Sequence, residues 1–451
     1  MTHLRPLALA VLCLGIGWVL PQTASAQQAA GVQIDPDGVL RIRVFHNDVT
    51  RARLDAARAA LAPELARKSE LRKVSLNRLE AAIAQRLAAG LPPTDDMLRL
   101  AGLTQLRYVF YYPESGDIVI AGPAEGYIED ASGRTVGLES GKATLLLEDL
   151  VAAIRAYPPT GDRTKVISVS IDPTPEGLNQ MQQFLARIAG RVTPGDAGRI
   201  VQGLRESLGL QTVSINGVSP QTHFAQVLVE ADYRMKLIGI GIEKPPVKIT
   251  SYVDRANPRD VARNALQRWY FTPNYECVRV SEDELAMELV GEGVKLVNAD
   301  ELVQAGGDRV ASATTNRASK AFTDEFTAKY AELAERVPVY AQLRNLIDMS
   351  VAAAFIQQQD FYGQAAWNAE VFCNEEQFPI EKYQTPRHVE TACTAVWKGS
   401  TLMTPIGGGV NIQPRLALRS ENRLPDENNQ LQELRQKIDV RALPQENWWW
   451  D

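Results

Sequence analysis

His223, Glu230, Asp232, Arg234 and Lys236 crowd into one short stretch of this sequence. An imidazole, two carboxylates and two cations at close spacing can bind an ion or a polar ligand, or move a proton. Their spacing decides what they can share. On a helix, His223, Val227, Glu230 and Arg234 lie on one face, with Phe224, Leu228, Ala231 and Met235 a quarter-turn away as the apolar stripe. His223 and Glu230 then sit roughly 10 Å apart along the axis, too far to hold one metal directly. Glu230–Arg234 and Asp232–Lys236 are acid-to-base pairs at i, i+4, each adding about 0.2–0.5 kcal/mol to a helix. The expectation is a solvated, salt-bridged face, with a ligand or partner surface as the alternative.

Asp172 and Asn216 are a second candidate pair. Each ends a strand-like run and is followed by a proline that opens a helix, after Thr174 and Ser219 respectively. Val169–Asp172 also resembles Val213–Asn216, as in an internal repeat. If the two units were neighbours, these residues would line the crevice beyond the strand ends, where open α/β sheets take ligands. Turn and cap duty is the plainer role.

Several chemistries are absent. The histidines His46, His223 and His388 are scattered, with no His-Glu-x-x-His run, and no Cys-x-x-Cys pair exists. No Gly-x-Ser-x-Gly elbow and no phosphate-binding Gly-x-x-x-x-Gly-Lys run occurs. No cofactor, metal or catalytic residue is therefore expected. Gly407–Gly409 reads as a flexible connector or a close approach to a ligand. Cys373 and Cys393 are the natural disulfide pair in an oxidising compartment, the alternative being buried thiols; Cys277 is left over.

The elements that would position these residues follow from periodicity. Val39–Phe45 alternates as a strand, and Leu76, Leu79, Ile83 and Leu87 make a helical stripe stopped by Gly90 and Pro92-Pro93. Leu106–Tyr112 and Asp117–Ala121 form an aromatic hairpin. Leu146, Leu147, Leu150, Val151 and Ile154 turn one helix face inward. Val166–Ile171 and Gln211–Ile215 each feed a helix, which predicts a partly parallel sheet. A helix is expected up to Arg268, and a meander from there to Val297. Residues 319–357 read as a helical hairpin bent at Pro338. The fold class is mixed α/β or α+β, a central sheet of mixed strands with packed helices. Its expected segments are 27–98 (strand and helical), 99–298 (central α/β), 299–318 (polar linker), 319–418 (hairpin plus strands) and 419–451 (a mobile polar tail). Trp448, Trp449 and Trp450 on that tail would contact a partner or membrane surface, or dock back on the chain.

A net charge of −6 argues against a nucleic-acid binder working by bulk electrostatics. Residues 1–26 read as a signal peptide. An apolar run from Leu7 to Leu20 follows Arg5 and is too short to span a bilayer, and Ala24-Ser25-Ala26 offers the small residues a signal peptidase cleaves after, at Ala26. No later stretch is apolar enough to span, so a soluble periplasmic or extracellular protein is expected.

Three runs, Ser170–Gly177, Val229–Gly241 and Arg268–Pro273, resemble signatures of an uncharacterised family of exported planctomycete proteins, a domain of unknown function. The likeness runs from about residue 100 to 360. It implies export and a shared fold, and carries over no catalytic residue. The function expected is binding or scaffolding in the cell envelope, with an unidentified envelope protein or ligand as partner. The alternative is a hydrolase with an unfamiliar carboxylate site.

Overall fold

The computed structural model describes residues 31–43, 50–161, 164–188, 193–257, 265–299, 301–303, 309–311, 316–398 and 401–451. The signal peptide and its cleavage site at Ala26 lie outside the described residues. The fold is mixed α+β with mixed-strand sheets.

The larger sheet is built around strand Thr401–Ile412. It runs antiparallel to Ile167–Asp172 and parallel to Ala265–Pro273. Its three glycines are therefore strand, not connector. At Gly408 (φ +140°) a Cβ would meet the Trp269 carbonyl oxygen at 1.9 Å, and at Gly409 the Val169 carbonyl oxygen at 1.8 Å, so no side chain fits between these neighbours. Ile167–Asp172 alternates buried and half-buried residues, the pattern of a strand packed on one face. Its other neighbour is Leu210–Asn216, which pairs antiparallel with Ser168 opposite Asn216 and Asp172 opposite Thr212. The two expected strand-to-helix units are adjacent, but they point in opposite directions. The expected helix ending near Arg268 gives way at Ala265 to strand.

Thr174 caps the first of those helices, its hydroxyl accepting from Gly177 N–H at 3.0 Å. The second starts later than expected, at His223, capped by Thr222. Helix His223–Gly239 lies between the larger sheet on one side and helices Leu147–Ala156 and Pro338–Gln358 on the other. It is covered on both faces, and so is Pro338–Gln358, which is buried from Val339 to Gln357. Residues 317–358 form three helices, Arg317–Ala328, Tyr330–Arg336 and Pro338–Gln358, with breaks at Lys329 and Val337.

A second sheet holds the aromatic hairpin Tyr108–Tyr112 and Asp117–Ala124, flanked by Ser69–Ser75 and Ala286–Leu289. Residues 419–451, expected to be mobile, are packed on it. Leu431 and Val440 cover the face made by Phe110, Tyr112, Val119 and Ala121. Trp449 and Trp450 add a strand to the edge at Lys73–Val74, and Trp448 is buried. Arg72 clamps this end: its guanidinium donates to both carboxylate oxygens of Asp451, at 2.8 and 3.1 Å, and sits over the Trp449 ring. Sparse apolar residues suffice here because they meet an aromatic face that would otherwise be wet. Within the expected linker 299–318, Glu301–Val303 and Arg309–Ala311 pair as a short hairpin.

The expected Cys373–Cys393 bond is not made: Cys277, Cys373 and Cys393 are all free. Cys393 starts strand Cys393–Trp397 and is buried in the cluster that Leu178, Met181 and Leu204 form with it, whereas Cys373 is exposed in a loop. Spacing in sequence had brought together residues that the fold sends to different layers. Alkylation of the native protein, read by peptide mass spectrometry, should label Cys373, while Cys277 and Cys393 react only after unfolding; a disulfide-linked 373–393 peptide would refute the free-thiol arrangement.

Candidate functional site

Helix His223–Gly239 carries ionic groups into the protein interior. His223, Glu230, Asp232 and Lys236 are all buried, Lys236 and Asp232 completely. The expected solvated face is thus overturned: the helices Leu147–Ala156 and Pro338–Gln358 cover it. A buried charge persists only with a partner, and each one here has a partner.

Glu230 receives Arg134 Nη2 at 2.6 Å and Arg234 Nη1 at 3.4 Å, and Arg234 also donates to Glu243. Arg134 is itself buried, and its Nε donates to Gln342 Oε1 at 2.8 Å. That bond assigns the amide orientation, so Gln342 Nε2 faces His223 Nε2, 3.5 Å away. On its other side the ring meets Asp149, with Nδ1 lying 3.0 and 2.9 Å from the two carboxylate oxygens. The result is a directional chain: Glu230, Arg134, Gln342, His223, Asp149. Separately, Lys236 Nζ donates to Asp232 Oδ2 at 2.7 Å and to the Ile171 carbonyl at 3.0 Å, which fastens the helix to the sheet.

His223, Gln342 and Arg134 line a cavity of about 420 Å³. One part of its wall is apolar, with Leu87, Pro93, Leu98, Leu146 and Phe378. The rest is polar, with Arg99, Glu148, Lys382 and Tyr383 beside the chain just described. Tyr383 donates its hydroxyl to Glu148 Oε1 at 2.8 Å, and Lys382 Nζ lies 3.1 Å from Glu148 Oε2. Small-molecule sites have this size and this mixture.

Protonation follows from burial and pairing. Burial favours the neutral ring of His223, but the Asp149 carboxylate outweighs it, and the imidazole is held above its ordinary value. Burial raises the Asp149 carboxyl against the pull of His223. Burial likewise pushes Asp232 up to about 6, opposed by Lys236. Burial lowers Lys236 against the pull of Asp232.

The remaining sequence candidates stand apart. Asp172 pairs with Arg268, at 2.9 Å. Asn216 is exposed at the opposite end of the same strand pair. In antiparallel register four residues separate them by about 13 Å, so they share no rim. Sequence reasoning found His223 and missed Asp149, Arg134 and Gln342, which lie 74, 96 and 119 residues from their partners. One signal was available: Asp149 is an acid in a helix whose neighbours Leu147, Leu150, Val151, Ala152 and Ala153 are apolar on more than one face. Among the described residues, no group of three or more His, Cys, Asp and Glu side chains is placed to hold a metal ion.

A family profile described as "Protein of unknown function (DUF1598)" matches residues 169–252. The match takes in strands Ile167–Asp172 and Leu210–Asn216 and helix His223–Gly239, hence His223 and the buried pairs behind it. Arg134, Asp149, Gln342 and Tyr383 lie outside it. No curated protein and no solved structure matches the chain.

Two outcomes check this geometry. The His223 ring, followed by heteronuclear NMR, should titrate above about 6.5, and D149N should drop it below that value because burial, the largest influence, is then opposed only by the weaker pull of Glu148. The sign for stability follows: the ring's contribution is full below about 6.5 and is lost as pH rises through the raised value, and D149N reverses the sign, stability then falling as pH drops through the lowered value. An unchanged titration in D149N would contradict the pairing. K236M strands the buried Asp232 and should cost about 3–5 kcal/mol in urea unfolding, while D232L/K236M, which removes both charges, should cost less. A double variant weaker than the single would show that the pair is not acting as a pair.

Proposed function

We propose that this is an exported protein of the cell envelope that binds a small ligand in the cavity beside His223, without transforming it. The observation that carries the proposal is preorganisation. Arg134, Gln342 and His223 are held by buried partners on the far side, so a ligand meets polar groups whose orientation is already fixed. The leader-like residues 1–26 support export. No helix among the described residues is long and apolar enough to cross a membrane, which is consistent with a body released from its leader.

One observation supports a second proposal, hydrolysis. An imidazole oriented by a carboxylate in the wall of a cavity is the arrangement of a general base, and Glu129 and Glu148 line the same cavity.

The test is a small-molecule thermal-shift screen of the chain from Gln27 onward, run beside L98W, in which an indole fills the cavity. Binding predicts hits that raise the melting temperature of the parent and not of L98W, and that are recovered unaltered. Recovery of a cleaved ligand, abolished by H223Q, would replace binding with hydrolysis. Hits that stabilise L98W equally would move the site elsewhere. N-terminal sequencing of the full chain expressed in a Gram-negative host should read from Gln27 in the periplasmic fraction.

A further inference from the structure

Every charge lining the polar wall of the cavity except Glu129 is matched by a partner among the described residues. Arg134 is paired with Glu230 at 2.6 Å, Lys382 with Glu148 at 3.1 Å, His223 with Asp149 at 2.9 Å and Arg99 with Asp95 at 3.2 Å. Glu129 is the exception, and it is exposed. A ligand bearing a net charge would therefore either enter a half-enclosed site without a counter-ion or break one of these pairs. Both cost free energy that an uncharged ligand does not spend, most at the buried Arg134–Glu230 and His223–Asp149 pairs and least at Arg99–Asp95, where Asp95 is exposed.

Hydrogen-bonding capacity remains after the pairs are made, and it has both signs. The Arg99 Nε–H is buried with no acceptor among the described residues. Gln342 Nε2 makes only the long 3.5 Å contact to His223. On the accepting side stand Glu148, whose oxygens have lone pairs left, and His223 Nε2 in the neutral ring. A hydroxyl group is the ligand function that donates and accepts at once. Beside these groups stand flat or apolar surfaces, the Tyr383 and Phe378 rings and Pro379. Aromatic faces carry negative charge density and attract weakly positive C–H groups.

Building on the cavity as a ligand site, we infer that its ligand is a neutral polyhydroxylated molecule with one apolar face, a mono- or disaccharide. The hydroxyl edge meets Arg99, Gln342, Glu148 and His223. The C–H face lies on Tyr383 and Phe378. Selectivity comes from unmatched charge: a uronate or an amino sugar of the same shape brings a charge that the paired wall cannot answer.

The test is isothermal titration of the chain from Gln27 onward with glucose, galactose, cellobiose, glucuronate and glucosamine. At least one neutral sugar should bind at one site per chain. Y383A should weaken it about tenfold or more, Y383F should retain it through the ring, and L98W should abolish it. R441A, remote from the cavity, should leave it unchanged. Tighter binding of glucuronate or glucosamine would overturn the inference while leaving the cavity a ligand site. Sugar binding that survives both Y383A and L98W would overturn it by placing the sugar elsewhere. If none of the five sugars binds, the inference fails, and the library screen with L98W then decides separately whether the cavity takes any other ligand.

Discussion

Burying ionised groups inside a protein is tolerated only when every one of them is answered, and helix His223–Gly239 imposes that condition on everything around it. It is covered by a sheet on one side and two helices on the other, yet it carries Glu230, Asp232 and Lys236 inward. Lys236 spends its hydrogen bonds on Asp232 and on the backbone of strand Ile167–Asp172. Glu230 requires Arg134 from a distant hairpin and Arg234 from its own next turn. The helix therefore cannot be repositioned without stranding charge. Such pairs are weak sources of stability and effective sources of register.

That register explains why the polar wall of the cavity is fixed before any ligand arrives. Glu230 orients Arg134, Arg134 orients the amide of Gln342, and the amide faces His223. Asp149 fixes the ring from the other side. Each of these side chains is buried, and Glu230, Arg134, Gln342 and His223 each have two partners. The matched family segment, residues 169–252, supplies the rear support and one wall group, His223. The other wall groups come from parts of the chain that the profile does not cover.

Local patterns were legible in the sequence. The alternation of Ile167–Asp172, the aromatic hairpin and the Thr174 cap all form where residue types place them. Direction and environment were not. The two strand-to-helix units look like parallel repeats, but their strands pair antiparallel, a direction that the residues within either unit do not encode. His223, Glu230 and Arg234 read as a solvated face because i, i+4 pairs also suit water. Whether a second layer covers that face depends on Leu147–Ala156 and Pro338–Gln358, which no spacing within the helix reveals. The C-terminal segment read as mobile because its apolar residues are few, and the aromatic face that recruits them is set by Phe110 and Tyr112.

The same chain of contacts connects ligand chemistry with proton chemistry. Arg134 holds the Gln342 amide with its N–H groups toward His223, so only the neutral ring, protonated on Nδ1, can accept there. When the ring gains a second proton, Nε2 becomes a donor facing a donor, and Asp149, with a smaller share from Glu148, compensates the new charge. A ligand hydroxyl at Nε2 resolves the conflict in either state, donating to the neutral ring and accepting from the charged one. A carboxylate would serve only the charged ring, and an ammonium only the neutral one. A site whose central group is raised in pKa by Asp149, and so can hold either charge, keeps a constant ligand only if that ligand can reverse its hydrogen bond.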